Sequence, residues 1–371
     1  MSAAAAIPAP GLPQTQRAIL ASAKGEWVIS QDAPVPELEP DNIIIRTVAV
    51  ALNPVDTKMV GPFIAEGAMF GFDCAGFVAA IGSDVAAARP DLKVGDRVCG
   101  CADGMNRFRP RAGAFGEYVA LDGDMALKIP EGVNFDEAAG MGMRIATAGM
   151  ALFYSLGIPT EWLLKAAGDQ MPVLVYGGST STGTMAIQLL KLCNIKVITT
   201  CSPRNFDLVR SYGADEVFDY NSPSCGADIR AATGNALDYA LDCITEEGSM
   251  KICYQAIGRC GGKYTALDPH PESKRKVVEP DWILASRLGG KPCSWPAPYG
   301  NDGDAQVKEF AKPFFETIQK LFDEGKLTPH PTKVSPGGFE GLAGEGVTAI
   351  RKGQISGQKL VYRINEEKTT E

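Results

Sequence analysis

Histidine is almost absent: the 371 residues contain two, His270 and His330. The ten cysteines, at Cys74, Cys99, Cys101, Cys193, Cys201, Cys225, Cys243, Cys253, Cys260 and Cys293, form no C-x-x-C pair. Structural zinc needs four closely spaced ligands, usually in two short pairs, so no metal site is expected. Cys193, Cys243 and Cys253 lie in apolar runs, where cysteine acts as a small buried hydrophobe, and a reduced cytoplasmic protein is the expectation. No uninterrupted apolar run reaches about 18 residues, which excludes a membrane-spanning helix. An excess of positive charge is also missing: 36 Lys+Arg stand against 44 Asp+Glu, a net charge of −8. A nucleic-acid binder would need a basic face. Residues 1–16 lack the basic start and apolar block of a secretory signal and are expected to form a flexible tail.

What is present is a chain long enough for two domains, with 45% hydrophobic and 22% charged residues, as in soluble globular proteins. The first half shows short β-branched runs with Gly/Pro punctuation: Asn42 to Leu52, Ala75 to Ile81, Lys93 to Gly100 and Gly116 to Leu121. That spacing predicts a barrel- or sandwich-like β domain. From about Phe135 the sequence changes character, with Ala-rich helical stretches such as Ile145 to Tyr154. From Pro172 strands and helices alternate: strands at Pro172 to Tyr176, Ile195 to Thr200, Glu216 to Tyr220, Leu237 to Ile244 and Gly262 to Leu267, with helices between them. Alternation of this kind predicts βαβ crossovers and a parallel sheet covered on both faces. Val307 to Glu324 reads as one amphipathic helix, and Lys359 to Ile364 as a last strand.

The most informative segment is Val173 to Gly183, VLVYGGSTSTG, lying between a buried strand and a helix. A dinucleotide pyrophosphate binds at such a place, on backbone N–H groups of the helix N-terminus. Gly177 and Gly178 permit the sharp turn, Gly183 permits close packing, and the hydroxyls of Ser179, Thr180, Ser181 and Thr182 add donors. The strict G-x-G-x-x-G fingerprint is not met, so a ligand-free Gly-rich turn is the alternative reading. NAD enzymes carry an Asp or Glu about 20 residues beyond the loop, for the ribose hydroxyls. Thr200 to Asn205 has no carboxylate there; Ser202 and Arg204 suit a 2′-phosphate instead, which favours NADP(H).

Five ordered segments resemble the medium-chain dehydrogenase/reductase superfamily: Asn53 to Asp56, Gly71 to Gly76, Val94 to Val98, Gly113 to Tyr118 and the Gly177 loop. Asp56 to Met59, Tyr176 to Thr180, Cys201 to Leu208, Ala240 to Thr245, Ser294 to Gly300, Arg351 to Gly353 and Ser356 to Arg363 are more narrowly similar to the fungal trans-acting enoyl reductases of polyketide biosynthesis, of the lovastatin type. The resemblance implies an α/β chain in which a GroES-like β-rich catalytic domain (17–160 and 300–371) joins a Rossmann-type doubly wound domain for NADP(H) (161–299). Zinc members have Cys and G-H-E ligands where this chain has Asn53 and Phe72-Asp73, so the zinc-free branch is implied.

By the same resemblance NADPH delivers hydride to an enoyl thioester, and Lys58 is the candidate catalytic residue, as enolate stabiliser or cofactor organiser. Val55, Asp56, Thr57, Lys58, Ser179 to Thr182, Ser202, Pro203, Arg204, Asn205, Tyr220, Leu267, Ser356 and Gly357 match cofactor-contacting positions. Asp268 replaces an Asn of the related reductase; an ionised carboxylate only accepts, so any contact there must differ. Thr147 and Ser286, Arg287, Leu288, Gly289 and Gly290 match the acyl pocket. The implied partner is the acyl carrier protein of an iterative polyketide synthase or PKS-NRPS hybrid, bringing a polyketide thioester. Arg107, Arg109 and Arg111, or Lys274, Arg275 and Lys276, would supply a basic docking patch, and each also reads as a solvated loop. Many members of the superfamily dimerise through edge strands of the nucleotide domain, whereas the most similar enzyme type is monomeric; a monomer is the expectation. Two alternatives stay open: a quinone or enone oxidoreductase acting on free small molecules, and a non-catalytic NADPH-binding partner of a synthase.

Overall fold

The computed structural model describes residues 11–166, 170–271 and 275–365. The chain forms two compact units, one of residues 1–143 with 286–371 and the other of residues 144–285. The boundaries expected from the sequence fell at 160/161 and 299/300.

The first unit is built on β strands. A hairpin of β1 (Thr15–Ala21) and β2 (Trp27–Pro34) is antiparallel. Thr15 and Gln16, expected in the tail, thus begin a strand, and Gln16 is buried because its side-chain oxygen accepts the Tyr118 N–H at 2.6 Å. β3 (Asn42–Ala51) is the centre of the main sheet and is buried along nearly its whole length, which its run NIIIRTVAVA dictates. One edge of β3 pairs with β4 (Asp73–Ile81), which in turn pairs with β5 (Arg97–Cys101). The other edge serves β6 (Tyr118–Asp122) at its start, while β7 (Leu127–Lys128) extends the sheet beyond β5.

The second unit contains six strands, all parallel: β8 (Pro172–Tyr176), β9 (Lys196–Cys201), β10 (Glu216–Asp219), β11 (Tyr239–Asp242), β12 (Gly262–Ala266) and β13 (Val278–Trp282). Their spatial order is β10-β9-β8-β11-β12-β13. The order reverses between β8 and β11, where doubly wound sheets place their ligands, at the carboxyl ends of the strands. Val173, Leu174 and Val175 are wholly buried, as an interior strand covered on both faces requires. The edge strand β13 was not expected: VEPDW carries a proline and two acids, a composition tolerated only at an edge.

The chain returns to the first unit at Ser286 and forms the helix Ala305–Asp323, whose N-cap Asp304 accepts the Val307 N–H at 3.1 Å. β14 (Thr332–Ser335) and β15 (Lys359–Arg363) follow, β15 pairing with the end of β3. Among the described residues no helix is long and apolar enough to cross a membrane. All ten cysteines are free. Burial pushes several thiols up, Cys193 to about 12 and Cys293 to about 11, so they behave as hydrophobes rather than nucleophiles.

Candidate active site

In the second unit, β8 ends at Tyr176 and the chain turns through Gly177 at φ +79° into the helix Ser181–Leu192. The Gly177 N–H donates to Thr200 Oγ1 (3.1 Å) and the Gly178 N–H to the Thr200 carbonyl (2.9 Å), which fastens the loop to β9. A Cβ on Gly178 would lie 2.0 Å from Thr199 Oγ1, and one on Gly183 would lie 2.4 Å from the Gly177 carbonyl oxygen. Only glycine fits either place. Thr180 caps the helix by accepting the Gly183 N–H at 2.9 Å; its oxygen is therefore engaged within the loop. Ser181 Oγ is buried and has no hydrogen-bond partner among the described residues, and Ser179 and Thr182 are half-buried. An orphaned hydroxyl at the N-terminal end of a helix is a fit for an anionic phosphate.

Around this loop, β9 leads into Ser202, Pro203, Arg204 and Asn205, which form a short 3-10 turn. Arg204 is exposed and makes no ion pair among the described residues, whereas Asn205 is buried. Tyr220 follows β10 and faces Tyr176 with ring centroids 6.2 Å apart. Leu267 and Asp268 follow β12; the Leu267 N–H donates to Thr245 Oγ1 at 3.1 Å. The fold brings these residues together at the carboxyl edge of one sheet. Thr147, also of this unit, is buried in the helix Met141–Gly149.

The first unit holds the other candidates. Asn53 precedes the short helix Pro54–Lys58. Asp56 is wholly buried, and its carboxylate accepts the Asn53 N–H at 2.6 Å. Burial pushes this carboxyl up to about 8, opposed by that hydrogen bond and by the Lys359 ammonium. Its second oxygen has no partner among the described residues. Asp56, proposed from the sequence as a cofactor contact, serves here as an internal anchor of the helix. Thr57 Oγ1 donates to the Pro54 carbonyl (2.8 Å), Val55 is half-buried, and Lys58 is exposed on the last turn. Ser356 is exposed and Gly357 stands at φ +64° just before β15.

Sequence reasoning missed what holds this helix in place. Lys359 is buried, and its Nζ lies 3.0 Å from Asp73 Oδ2 and hydrogen-bonds Asn53 Oδ1. Asn53 Nδ2 donates to the same Asp73 oxygen at 2.9 Å, while Asp73 Oδ1 accepts the Met143 N–H at 2.7 Å. Lysine is almost never buried unless paired, so a lysine opening a buried strand is the signal that was available. This arrangement also answers the question of zinc. At the positions where zinc members have Cys and G-H-E, an amide and a carboxylate are saturated by each other and by an ammonium, and Phe72 packs edge-on against Trp295. That donor set does not fit a zinc ion. Among the described residues no group of three or more His, Cys, Asp or Glu is arranged to hold a metal.

Of the acyl-pocket candidates in the first unit, Leu288 is core and Arg287 is engaged by Asp304. Gly290 stands at φ +66°, and a Cβ on Gly289 would meet Met125 and Asp122 only at ordinary contact distance. Ser286 keeps a buried oxygen without a partner among the described residues. The proposed basic patch is compensated within the unit: Arg109 pairs with Glu39 (3.4 Å), Arg111 with Glu37 (3.5 Å), and Arg107 donates to the Ile64 carbonyl (2.8 Å). Arg275 donates to the carbonyls of Tyr254, Ile257 and Gly258, closing a helix end, Lys276 is exposed, and Lys274 lies outside the described residues.

Fold and site define a nicotinamide-dependent dehydrogenase/reductase without a zinc ligand set. Family comparison agrees on the class: residues 39–131 match an alcohol dehydrogenase GroES-like domain and residues 181–267 a zinc-binding dehydrogenase domain. The chain is 55% identical over 356 residues to the trans-enoyl reductase buaC of Petromyces alliaceus, covering 95% of this chain and 98% of that one. It is 48% identical to the trans-enoyl reductase FSL5 of Gibberella zeae, at 95% and 98% coverage. Among solved structures, the CurK enoyl reductase superposes with a TM-score of 0.69 at 18% identity, covering 95% of this chain and 99% of that one. The quinone oxidoreductase of Coxiella burnetii gives 0.65 at 22% identity, with 94% and 99% covered. These last two likenesses speak to fold alone. The chain belongs to the medium-chain dehydrogenase/reductase superfamily and, within it, to the trans-enoyl reductases.

Proposed function

We propose that this chain is an NADPH-dependent trans-acting enoyl reductase that saturates α,β-unsaturated polyketide thioesters carried on the acyl carrier protein of an iterative polyketide synthase or PKS-NRPS hybrid. The observation that carries the choice of cofactor is the exit of β9, where Ser202 and the exposed Arg204 stand and the segment Thr200 to Asn205 holds no carboxylate of its own to repel a 2′-phosphate. The pyrophosphate is held by Gly177 to Thr182, with Ser181 as a donor. When bound, the cofactor supplies a hydride to the β-carbon. Addition of that hydride and one proton across the C=C bond completes the reduction, and negative charge develops on the thioester oxygen between the two events. Lys58 is assigned to that charge: a positively charged group aimed at a developing oxyanion lowers the barrier. Asn53, Asp73 and Lys359 hold the segment that carries it. Tyr220 flanks the adenine, and Asp268, restricted to accepting, meets a donor of the cofactor or substrate. Ser286 offers the acyl chain's polar end a hydroxyl.

The protein is proposed to act as a monomer in the cytoplasm. One edge strand of the sheet, β13, has Pro280 between the exposed acids Glu279 and Asp281, which disfavours pairing with a second copy along that edge.

Oxidation of NADPH, followed beside NADH, with an α-methyl enoyl-pantetheine thioester and with a simple quinone, tests the reading. Thioester turnover that prefers NADPH and falls at least ~100-fold in Lys58→Ala is expected, a loss of the size seen when one oxyanion partner is removed. Turnover of the quinone alone would assign the chain to the small-molecule branch. NADPH binding without any turnover would leave a non-catalytic partner.

A further inference from the structure

The segment Ala240 to Thr245 carries a second device. Asp242, the last residue of β11, is wholly buried. Its Oδ1 accepts the backbone N–H groups of Ile244 (2.9 Å) and Thr245 (3.0 Å). Its Oδ2 accepts the hydroxyls of Ser249 (2.6 Å) and Tyr264 (2.9 Å). Four donors on one carboxylate fill its hydrogen-bonding capacity. Thr245 sits at φ +60°, a left-handed conformation that is an outlier for a β-branched residue and persists only where its surroundings impose it.

The turn joins three neighbouring strands of the sheet. Held in this conformation, Thr245 Oγ1 accepts the Leu267 N–H at the exit of β12 (3.1 Å). On the opposite side, the Cys243 N–H donates to the carbonyl of Tyr176 (3.0 Å), the residue before the glycine loop. A Cβ on Gly177 would lie 3.0 Å from the Ile244 side chain. One carboxylate therefore sets the heights of the β8, β11 and β12 exits, where the strand order reverses. Ile244, a large apolar residue, is left 40% exposed at that edge.

We propose that Asp242 is a positioning residue for hydride transfer. It holds Cys243 to Thr245 in a strained turn that presents Ile244 and the Leu267 main chain to the nicotinamide end of the bound dinucleotide. This rests on the cofactor reading above. The glycine loop makes its own bonds to β9, so the pyrophosphate site survives loss of the carboxylate while the reacting end does not.

The test compares the wild type with Asp242→Asn, Asp242→Asn/Thr245→Gly and Ser249→Ala. In Asp242→Asn, the NADPH Kd is expected to stay within ~3-fold of wild type. There kcat falls ~10- to 100-fold, as misplacement of reacting groups produces, and the primary isotope effect with 4-deuterated NADPH rises. Glycine takes φ +60° without strain but lacks the hydroxyl that accepts the Leu267 N–H, so Thr245→Gly restores in that background only the part of kcat that depends on the turn and Ile244. Ser249→Ala removes one donor and keeps the fold, so it gives the same changes on a smaller scale even if Asp242→Asn does not accumulate. The emission of bound NADPH, which reports the nicotinamide environment without any acceptor, shifts in both single variants. That readout separates a failure of this inference from a failure of the assigned substrate. Unchanged emission and isotope effect, or equal losses of binding and turnover with no rescue by glycine, would make Asp242 a structural anchor only.

Discussion

The carboxyl edge of the parallel sheet and the buried cluster of the β-rich unit treat polar groups in opposite ways. At the sheet edge, Ser181 keeps a hydroxyl and Arg204 an exposed guanidinium, neither with a hydrogen-bond or carboxylate partner among the described residues. In the cluster, Asn53, Asp73 and Lys359 engage one another inside the protein. The first arrangement is suited to a ligand that brings its own charge. The second is suited to holding something else still, and what it holds is the short helix ending at Lys58. An open set of donors recognises, while a closed set positions.

Breaking the closed set should have the largest effect. Lys359→Met leaves Asp73 buried and uncompensated, and loss of one partner of a buried pair costs about 3–5 kcal/mol. Chemical denaturation is expected to show that loss, and Asp73→Asn combined with Lys359→Met is expected to recover part of it. Equal stability of the single and double variants would show that the charge pair is not what holds the cluster together.

A smaller, pH-dependent effect belongs to Asp56. Its carboxyl titrates at about 8 in the folded chain against 3.8 as the ordinary value. The folded state therefore binds the extra proton between those values; stability is full below the unfolded pKa and is lost as pH rises through the folded one. Asp56→Asn, which still offers an oxygen to the Asn53 N–H, removes this titration. Its unfolding free energy, read by chemical denaturation, should match the wild type near pH 4 and exceed it increasingly towards pH 8, by an amount on the order of a few kcal/mol. Parallel pH profiles for the two proteins would mean that the buried carboxyl carries no such penalty.

The two regions also differ in how much the sequence discloses. β8, β9 and the turn between β8 and its helix are written in local pattern: an apolar run, glycines, hydroxyls, then helical spacing. Arg204 is legible because it follows a strand end by a fixed interval. The cluster is different, because Lys359 and Asp73 meet across 286 residues of chain, and no local periodicity encodes such a pairing. Lys359 reads locally as the start of a strand, which it is. Asp56 reads as part of a motif, and only its burial shows that it faces inward. The β1–β2 hairpin and β13 escaped notice for another reason. Their polar and proline-containing sequences are those of strands at an edge, where a continuous apolar face is not required. The motif at Ala240 to Thr245 is visible as letters, but its strained turn and its four donors are facts of three dimensions.

The open edge is the part on which the choice of cofactor depends, and Arg204 is its most direct probe. Titration of wild type and Arg204→Ala with NADPH and with NADH isolates the 2′-phosphate, the one group by which the two ligands differ. Loss of a hydrogen-bonded charge pair predicts ~10-fold weaker NADPH binding or more, with NADH affinity unchanged. Equal affinities of the wild type for both ligands, or an equal loss of both in the variant, would contradict the assignment of this edge to NADPH.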